Sequence, residues 1–405
     1  MARGRAAALL ALVLLAAGCG SHAETKAPPL PATGPPGVVR IGLAHILWPL
    51  DPVRARTRDE VALARTLFAT PIRTDARGAL RPGLCSTWRS AESVSWHLRC
   101  SYASSIASTL RRVRLLPGAK ISAPGQRTLL IRLPAQNREL PYLLTEIRAA
   151  PPGVPGPFRL VSASPQRVVA ERNGLKLDFQ EVEPYAAQRL FRRGRLDEAP
   201  VPLGDIQAAL RNPTLKPAVR IKRLLALDLV ATTPGGTLAR LPAVRQVYDD
   251  TADRADYQAL VPEFEAPPAT SLRELPAKKI ARAAVVASRA AKKQIAGLPR
   301  VAVRFAEPSN PDDAYSANLL IAAWRDFGLG PFVARDKPDA RFERVLAAYP
   351  RPNAIRTALR GRQIMPIAWA VDARLVSPRV RGWSEDELGS VDYSRIRLRA
   401  PSRSR

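Results

Sequence analysis

One strongly apolar run exists in the chain, and it lies at the N-terminus. Residues 1–19 read MARGRAAALLALVLLAAGC: Arg3 and Arg5 supply a positive start, and residues 6–17 are an apolar stretch of 12 residues. That stretch is too short to span a bilayer as a helix, so it reads as a signal peptide. Its end, Leu15-Ala16-Ala17-Gly18-Cys19, resembles a bacterial lipobox, in which small residues fit a narrow peptidase site and the cysteine thiol takes the lipid. An ordinary signal peptide followed by a chance cysteine is the plainer alternative. With no later run of spanning length, a polytopic membrane protein is excluded.

Residues 20–37 contain five prolines and three glycines without helical or strand period, and read as a tether. Acyl chains on Cys19 would then hold the following body near a membrane surface. The expected location is outside the cytoplasm, as a lipoprotein on the outer face of the cytoplasmic membrane or in the periplasm. The remaining length suits two lobes, each with its own core. The formal charge of +28 invites a nucleic-acid reading. However, the basic residues are 53 Arg and 10 Lys spread along the whole chain, whereas a nucleic-acid binder gathers its charge on one stripe or motif. No nucleic-acid partner is expected. If Cys19 carries lipid, Cys85 and Cys100 remain; in an oxidising compartment they form a plausible disulfide, and two buried free thiols are the alternative.

Short elements are legible along the body. Residues 38–43 are a β-branched strand, Thr57 and Glu60 have the spacing of a capping box, and Val61, Ala64 and Phe68 then recur on one helical face. Further strands are expected at 96–98, 128–133, 167–171 and 300–305. Helices are expected at 185–193, 241–253, 281–296 and 314–327. Strands and helices alternate without a short repeat, which points to α/β lobes.

The order of small motifs is similar to that of the extracellular solute-binding proteins of the peptide/nickel type, family 5, which serve ABC importers. The residues that carry the resemblance are Val39 to Leu43 with Leu50-Asp51-Pro52, and Thr66-Leu67-Phe68-Ala69-Thr70-Pro71-Ile72 with Asp75 and Gly78. They continue in Pro82-Gly83-Leu84-Cys85-Ser86-Thr87-Trp88, Gly156-Pro157-Phe158 and Phe191-Arg192-Arg193-Gly194-Arg195-Leu196-Asp197. The helix around Val244-Arg245-Gln246 and the segment Ser377-Pro378-Arg379-Val380-Arg381-Gly382 complete the series. The resemblance implies a two-lobed α/β fold of the periplasmic-binding-protein kind (type II), with a ligand cleft between lobes. It implies a small-molecule or peptide ligand, ABC permease transmembrane subunits as partners, a monomer, no cofactor and no metal. The expected division is 1–18 signal peptide, 19–37 tether, 38–226 first lobe, 227–377 second lobe, 378–399 return to the first lobe, and 400–405 basic tail. A fold of this kind that has lost import and acts as a sensor or envelope scaffold is the rival reading.

Two departures qualify the resemblance. The strand at 96–99 runs directly into Cys100-Ser101-Tyr102, where the family continues into a longer turn. In the family's peptide binders, an Ala-Asp-Tyr-Pro-Asp-Pro-like stretch supplies an aspartate for the peptide's α-amine. The matching residues here are Ala347-Ala348-Tyr349-Pro350-Arg351-Pro352, with Ala348 at the aspartate's place. A cleft that prefers neutral or anionic solutes, or peptides with a blocked amine, is therefore expected. Enzyme readings find no support: His22, His45 and His97 form no metal spacing, and neither a nucleophile elbow nor a phosphate-binding loop occurs. Cleft candidates are His45, which follows the first strand, Trp48, Tyr349, Arg351 and Trp369; for His45 a surface or core position is the alternative, and for the two tryptophans a core position.

Overall fold

The computed structural model describes residues 34–55, 57–75, 79–113, 116–149, 154, 156–252, 302–308, 311–326, 328–346, 364–386 and 389–399. Cys19, the tether up to residue 33, the expected helix at 281–296, Ala348, Tyr349 and Arg351 lie outside these residues.

The strands in chain order begin with β1 (Val38–Leu43), β2 (Ile72–Thr74), β3 (Leu80–Pro82), β4 (Cys85–Ala91), β5 (Ser95–Cys100) and β6 (Lys120–Gly125). They continue as β7 (Thr128–Arg132), β8 (Arg159–Ser164), β9 (Arg167–Arg172), β10 (Leu175–Glu181), β11 (Glu198–Pro200) and β12 (Val219–Thr232). The last six are β13 (Ala302–Ala306), β14 (Gly330–Ala334), β15 (Ala340–Leu346), β16 (Ile364–Val376), β17 (Val380–Arg381) and β18 (Arg397–Leu398). Ten of them form one sheet in the order β14-β13-β15-β12-β16-β11-β1-β10-β9-β8. β1 lies parallel to β10, with Leu43 opposite Glu181, and parallel to β11 at Ile41 opposite Glu198. The carboxyl ends of parallel strands thus come together where β1 and β10 finish, the edge at which open α/β sheets commonly bind ligands.

Helix α1 (Arg58–Leu67) starts at a reciprocal cap: Thr57 Oγ1 accepts from Glu60 N at 3.2 Å, and Glu60 Oε2 accepts from Thr57 N at 2.9 Å. Its buried stripe differs from the expected one. Ala62, Leu63, Ala64, Thr66 and Leu67 are buried, Val61 is half-buried, and Phe68 ends the helix as its cap. The stripe is centred on Leu63 and Leu67, four residues apart, and continued backwards by one more turn it includes Asp59, which is also buried. An ionisable group on an apolar stripe needs partners inside the fold.

β12 and β16 are the two longest strands and pair antiparallel along their length, with a register break between Arg223 and Leu227. On one side of the break, Ile221, Val371, Ala373 and Leu375 pack with Ala187, Phe191, Ala199 and Ile206. On the other, Val230, Met365, Ile367 and Ala368 pack with Tyr248, Phe305, Trp324 and Phe342. Leu224, Ala226 and Ala370 form a small buried cluster between the two. Two cores are therefore joined by a two-stranded band. The expected lobe boundary at 226/227 falls inside β12.

A smaller unit packs α2 (Ala103–Arg112) on the four-stranded sheet β4-β5-β7-β6. Cys85 and Cys100 are register partners across β4 and β5 and are joined by a disulfide. The remaining helices are α3 (Leu140–Glu146), α4 (Pro184–Arg192), α5 (Ile206–Arg211), α6 (Thr237–Arg240), α7 (Pro242–Asp250) and α8 (Pro311–Asp326). No helix among the described residues is long and apolar enough to cross a membrane.

Candidate functional site

A cavity of about 490 Å³ opens where the band crosses from one core to the other. Its floor comes from the ends of parallel strands: Ala44 and His45 follow β1, and Glu181 ends β10. Glu183, Pro184 and Tyr185 at the start of α4 form one side, and Pro200 to Leu203 with Ile206 form an apolar wall. Residues 371–374 of β16 close the back, and Asp228 of β12 and Arg344 of β15 contribute from the other core. The volume falls within the range typical of small-ligand sites, roughly 300–1,000 Å³.

The lining residues Arg58, Asp59, Asp372 and Arg374 belong to a buried ionic network built from β11, β16, α1 and the C-terminal segment. Arg374 bonds Asp59 Oδ1 at 2.5 Å, Glu198 Oε1 at 3.2 Å and Asp372 Oδ2 at 3.1 Å. Arg58 meets Asp372 Oδ1 at 2.6 Å, and Tyr393 donates its hydroxyl to Glu198 Oε1 at 3.0 Å. Asp59 also accepts from Ala44 N at 2.6 Å, which fixes the chain where it leaves β1.

Arg58 and Arg374 here meet three carboxyls, Asp59, Asp372 and Glu198, and a fourth, Glu385, bonds Asp372. Burial penalises the surplus negative charge, so some carboxyls keep protons. Burial pushes Glu198 up to about 7, against the pull of Arg374. Burial and the adjacent Asp372 push Glu385 up to about 10. Burial acts on Asp372 in the same upward sense, but Arg58 and Arg374 outweigh it and hold Asp372 below the usual carboxylate range. Separately, Asp228 takes both forks of Arg344, at 2.7 and 3.0 Å, tying adjacent strands at the mouth of the cavity.

Among the residues expected in a cleft, His45 lines the cavity and is half-buried. Trp48 is 46% exposed and is not part of the lining. Trp369 is half-buried in β16, outside the lining, with the Arg223 guanidinium 5.6 Å from its ring centroid. Among the described residues the lining carries three guanidiniums and five carboxylates. The acidic lining residues and the Arg374 network were not anticipated. The available signals were Asp372 and Arg374 inside the apolar run IMPIAWAVDARLV, and Glu183 immediately before Pro184 at a strand-to-helix junction. Among the described residues no cluster of histidine, cysteine and acidic side chains is arranged to hold a metal ion.

No family model matches the sequence, and no curated protein sequence matches it. Solved structures do. The fold is similar to Haemophilus influenzae OppA in complex with the peptide RPPGFSPFR, at TM-score 0.68 and 13% identity over 89% of this chain and 99% of that one. It is similar to the Escherichia coli murein tripeptide binding protein MppA, at TM-score 0.66 and 13% identity over 89% of this chain and 98% of that one. It is also similar to NikA from Brucella suis in complex with Fe(III)-EDTA, at TM-score 0.65 and 11% identity over 89% of this chain and all (100%) of that one. The architecture is that of the two-lobed α/β periplasmic binding proteins.

Proposed function

We propose that this chain captures a peptide or other small solute in the cavity at the strand crossing and delivers it to the transmembrane subunits of an ABC importer. Acyl chains on Cys19 would keep it at the outer face of the membrane, where a permease can meet it. The observation that carries this reading is the cavity itself. Among the described residues it draws walls from two cores that the strands β12 and β16 both cross, so a solute touching both walls favours a closed arrangement over an open one. The register break between Arg223 and Leu227, with the small cluster Leu224, Ala226 and Ala370, is where the band would flex. No covalent step is required for capture and delivery.

Mass spectrometry of small molecules released from the purified mature protein, followed by calorimetry with the released solute, tests the reading. A solute that binds with a one-to-one ratio and narrows the small-angle scattering envelope is the expected result. A protein that carries no solute and shows no ligand-dependent change in shape would remove it.

A further inference from the structure

The lining charges divide into pairs and a remainder. Arg58, Arg344 and Arg374 are matched by Asp372, Asp228 and Asp59. The remainder is Glu181 and Glu183. Among the described residues Glu181 accepts from the backbone N–H of Ile46 at 3.1 Å, and Glu183 from those of Tyr185 and Ala186 at 3.0 and 2.9 Å. Among the described residues no cation meets either carboxylate. An ionised carboxylate offers about four acceptor sites, so both retain capacity for a donor from a ligand.

Two effects oppose a cationic ligand, and both are weaker at this place. The N-terminus of α4 would favour an anion, but Glu183 already caps it with both oxygens. The chain's charge of +28 is spread over its length, and salt screens it beyond about 8–10 Å. Tyr185, 46% exposed, stands two residues from Glu183 on the same wall and offers an aromatic face of the kind that attracts cations. Pro200, Val201, Pro202 and Leu203 of the same lining supply apolar surface for an uncharged remainder.

We propose that the cavity selects solutes bearing an ammonium or guanidinium group on an apolar body, the cationic group seated at Glu181 and Glu183 beside Tyr185. The inference rests on the solute-binding reading and specifies its substrate class. Three capped tripeptides that differ in one side chain test it by calorimetry on the mature protein: acetyl-Lys-Leu-Leu-amide, acetyl-Gln-Leu-Leu-amide and acetyl-Glu-Leu-Leu-amide. The lysine peptide should bind at least about tenfold tighter than the glutamine peptide, as expected for two charge-assisted contacts. Glu181→Gln with Glu183→Gln should erase that preference and leave the glutamine peptide's affinity within about twofold. Gln keeps one acceptor oxygen at each position, so one of the two cap bonds to the Tyr185 and Ala186 amides is retained and the other is lost; should the double variant fail to fold, Glu181→Gln alone is used and should lose roughly half of the preference on a logarithmic scale. Equal or tighter binding of the glutamine or glutamate peptide, or a preference unchanged in the variant, would overturn the inference while leaving solute capture intact. Where none of the three binds, the solutes released from the purified protein decide: cations uphold the inference, neutral or anionic solutes overturn it, and no solute of any kind overturns the functional reading with it.

Discussion

Arg374 joins α1, β11 and β16 through one buried guanidinium. Replacing it with methionine would leave Asp59, Asp372 and Glu198 without their shared cation, and a broken buried pair of this kind costs about 3–5 kcal/mol. Arg374→Met should therefore lower the urea midpoint strongly, and a shift of under 1 kcal/mol by the same measurement would show that the network is not coupled to the fold. Glu198 adds a pH dependence. Its value rises from 4.5 to about 7 on folding, so between those values the folded chain binds more protons than the unfolded one. Stability accordingly falls as pH rises from about 4.5 through 7, and Glu385, raised to about 10, extends the decline. Asp339, held down to about 2 because Arg304 and the Thr237 amide outweigh its burial, acts oppositely, and its contribution is lost as pH falls towards 2. Glu198→Gln should flatten the melting temperature between pH 5 and 7; a slope equal to that of the wild type would refute the assignment. Little of this was legible in the sequence. His45, which lines the cavity, has a sequence signal because it follows a clear strand. Asp59, Asp372 and Arg374 are local charges whose partners lie up to 315 residues away in the chain. Glu181 and Glu183 look like any solvated strand end.

Elements with a local signal were read well. β1, β7 and β9 fall where β-branched runs place them, and α4 and α7 lie within one to three residues of the expected bounds. The capping box at Thr57 and Glu60 is present as its spacing implies; Thr57→Ala should cost about 1 kcal/mol in the same denaturation experiment, and no change would mean that tertiary packing alone fixes the start of α1. β12 and β16 were not read, for a physical reason. Each crosses from one core to the other, so the buried face changes along the strand and a simple two-residue alternation does not persist. The disulfide belongs to this scale too. It staples β4 to β5 across a separation of 15 residues, and closing a loop of that size contributes about 3 kcal/mol. Thiol labelling of the unfolded, unreduced mature protein should find neither Cys85 nor Cys100 free, and full labelling of both would contradict the bridge.

For the whole molecule, the proposed function would use the band β12–β16, which crosses between two of the cores, to turn solute binding into a change of shape. The C-terminal segment is locked to the first core independently of that band: Asp197 accepts from Arg379 at 2.6 and 2.7 Å and from Arg40 Nε at 3.1 Å. Closure would then move one core against a fixed assembly of β1, β11 and the C-terminus. Anchoring is a separate matter: Cys19→Ser should abolish acyl labelling and release the protein from membranes, and persistent labelling would refute the lipobox reading. Capture of a solute at the strand crossing is tested most directly by amide hydrogen exchange on the mature protein with and without its released solute. Slower exchange is expected at 44–46, 181–186, 200–203 and 371–374, together with the band around 223–228. Unchanged exchange at these residues in the presence of saturating solute, or protection confined to a different part of the molecule, would contradict it.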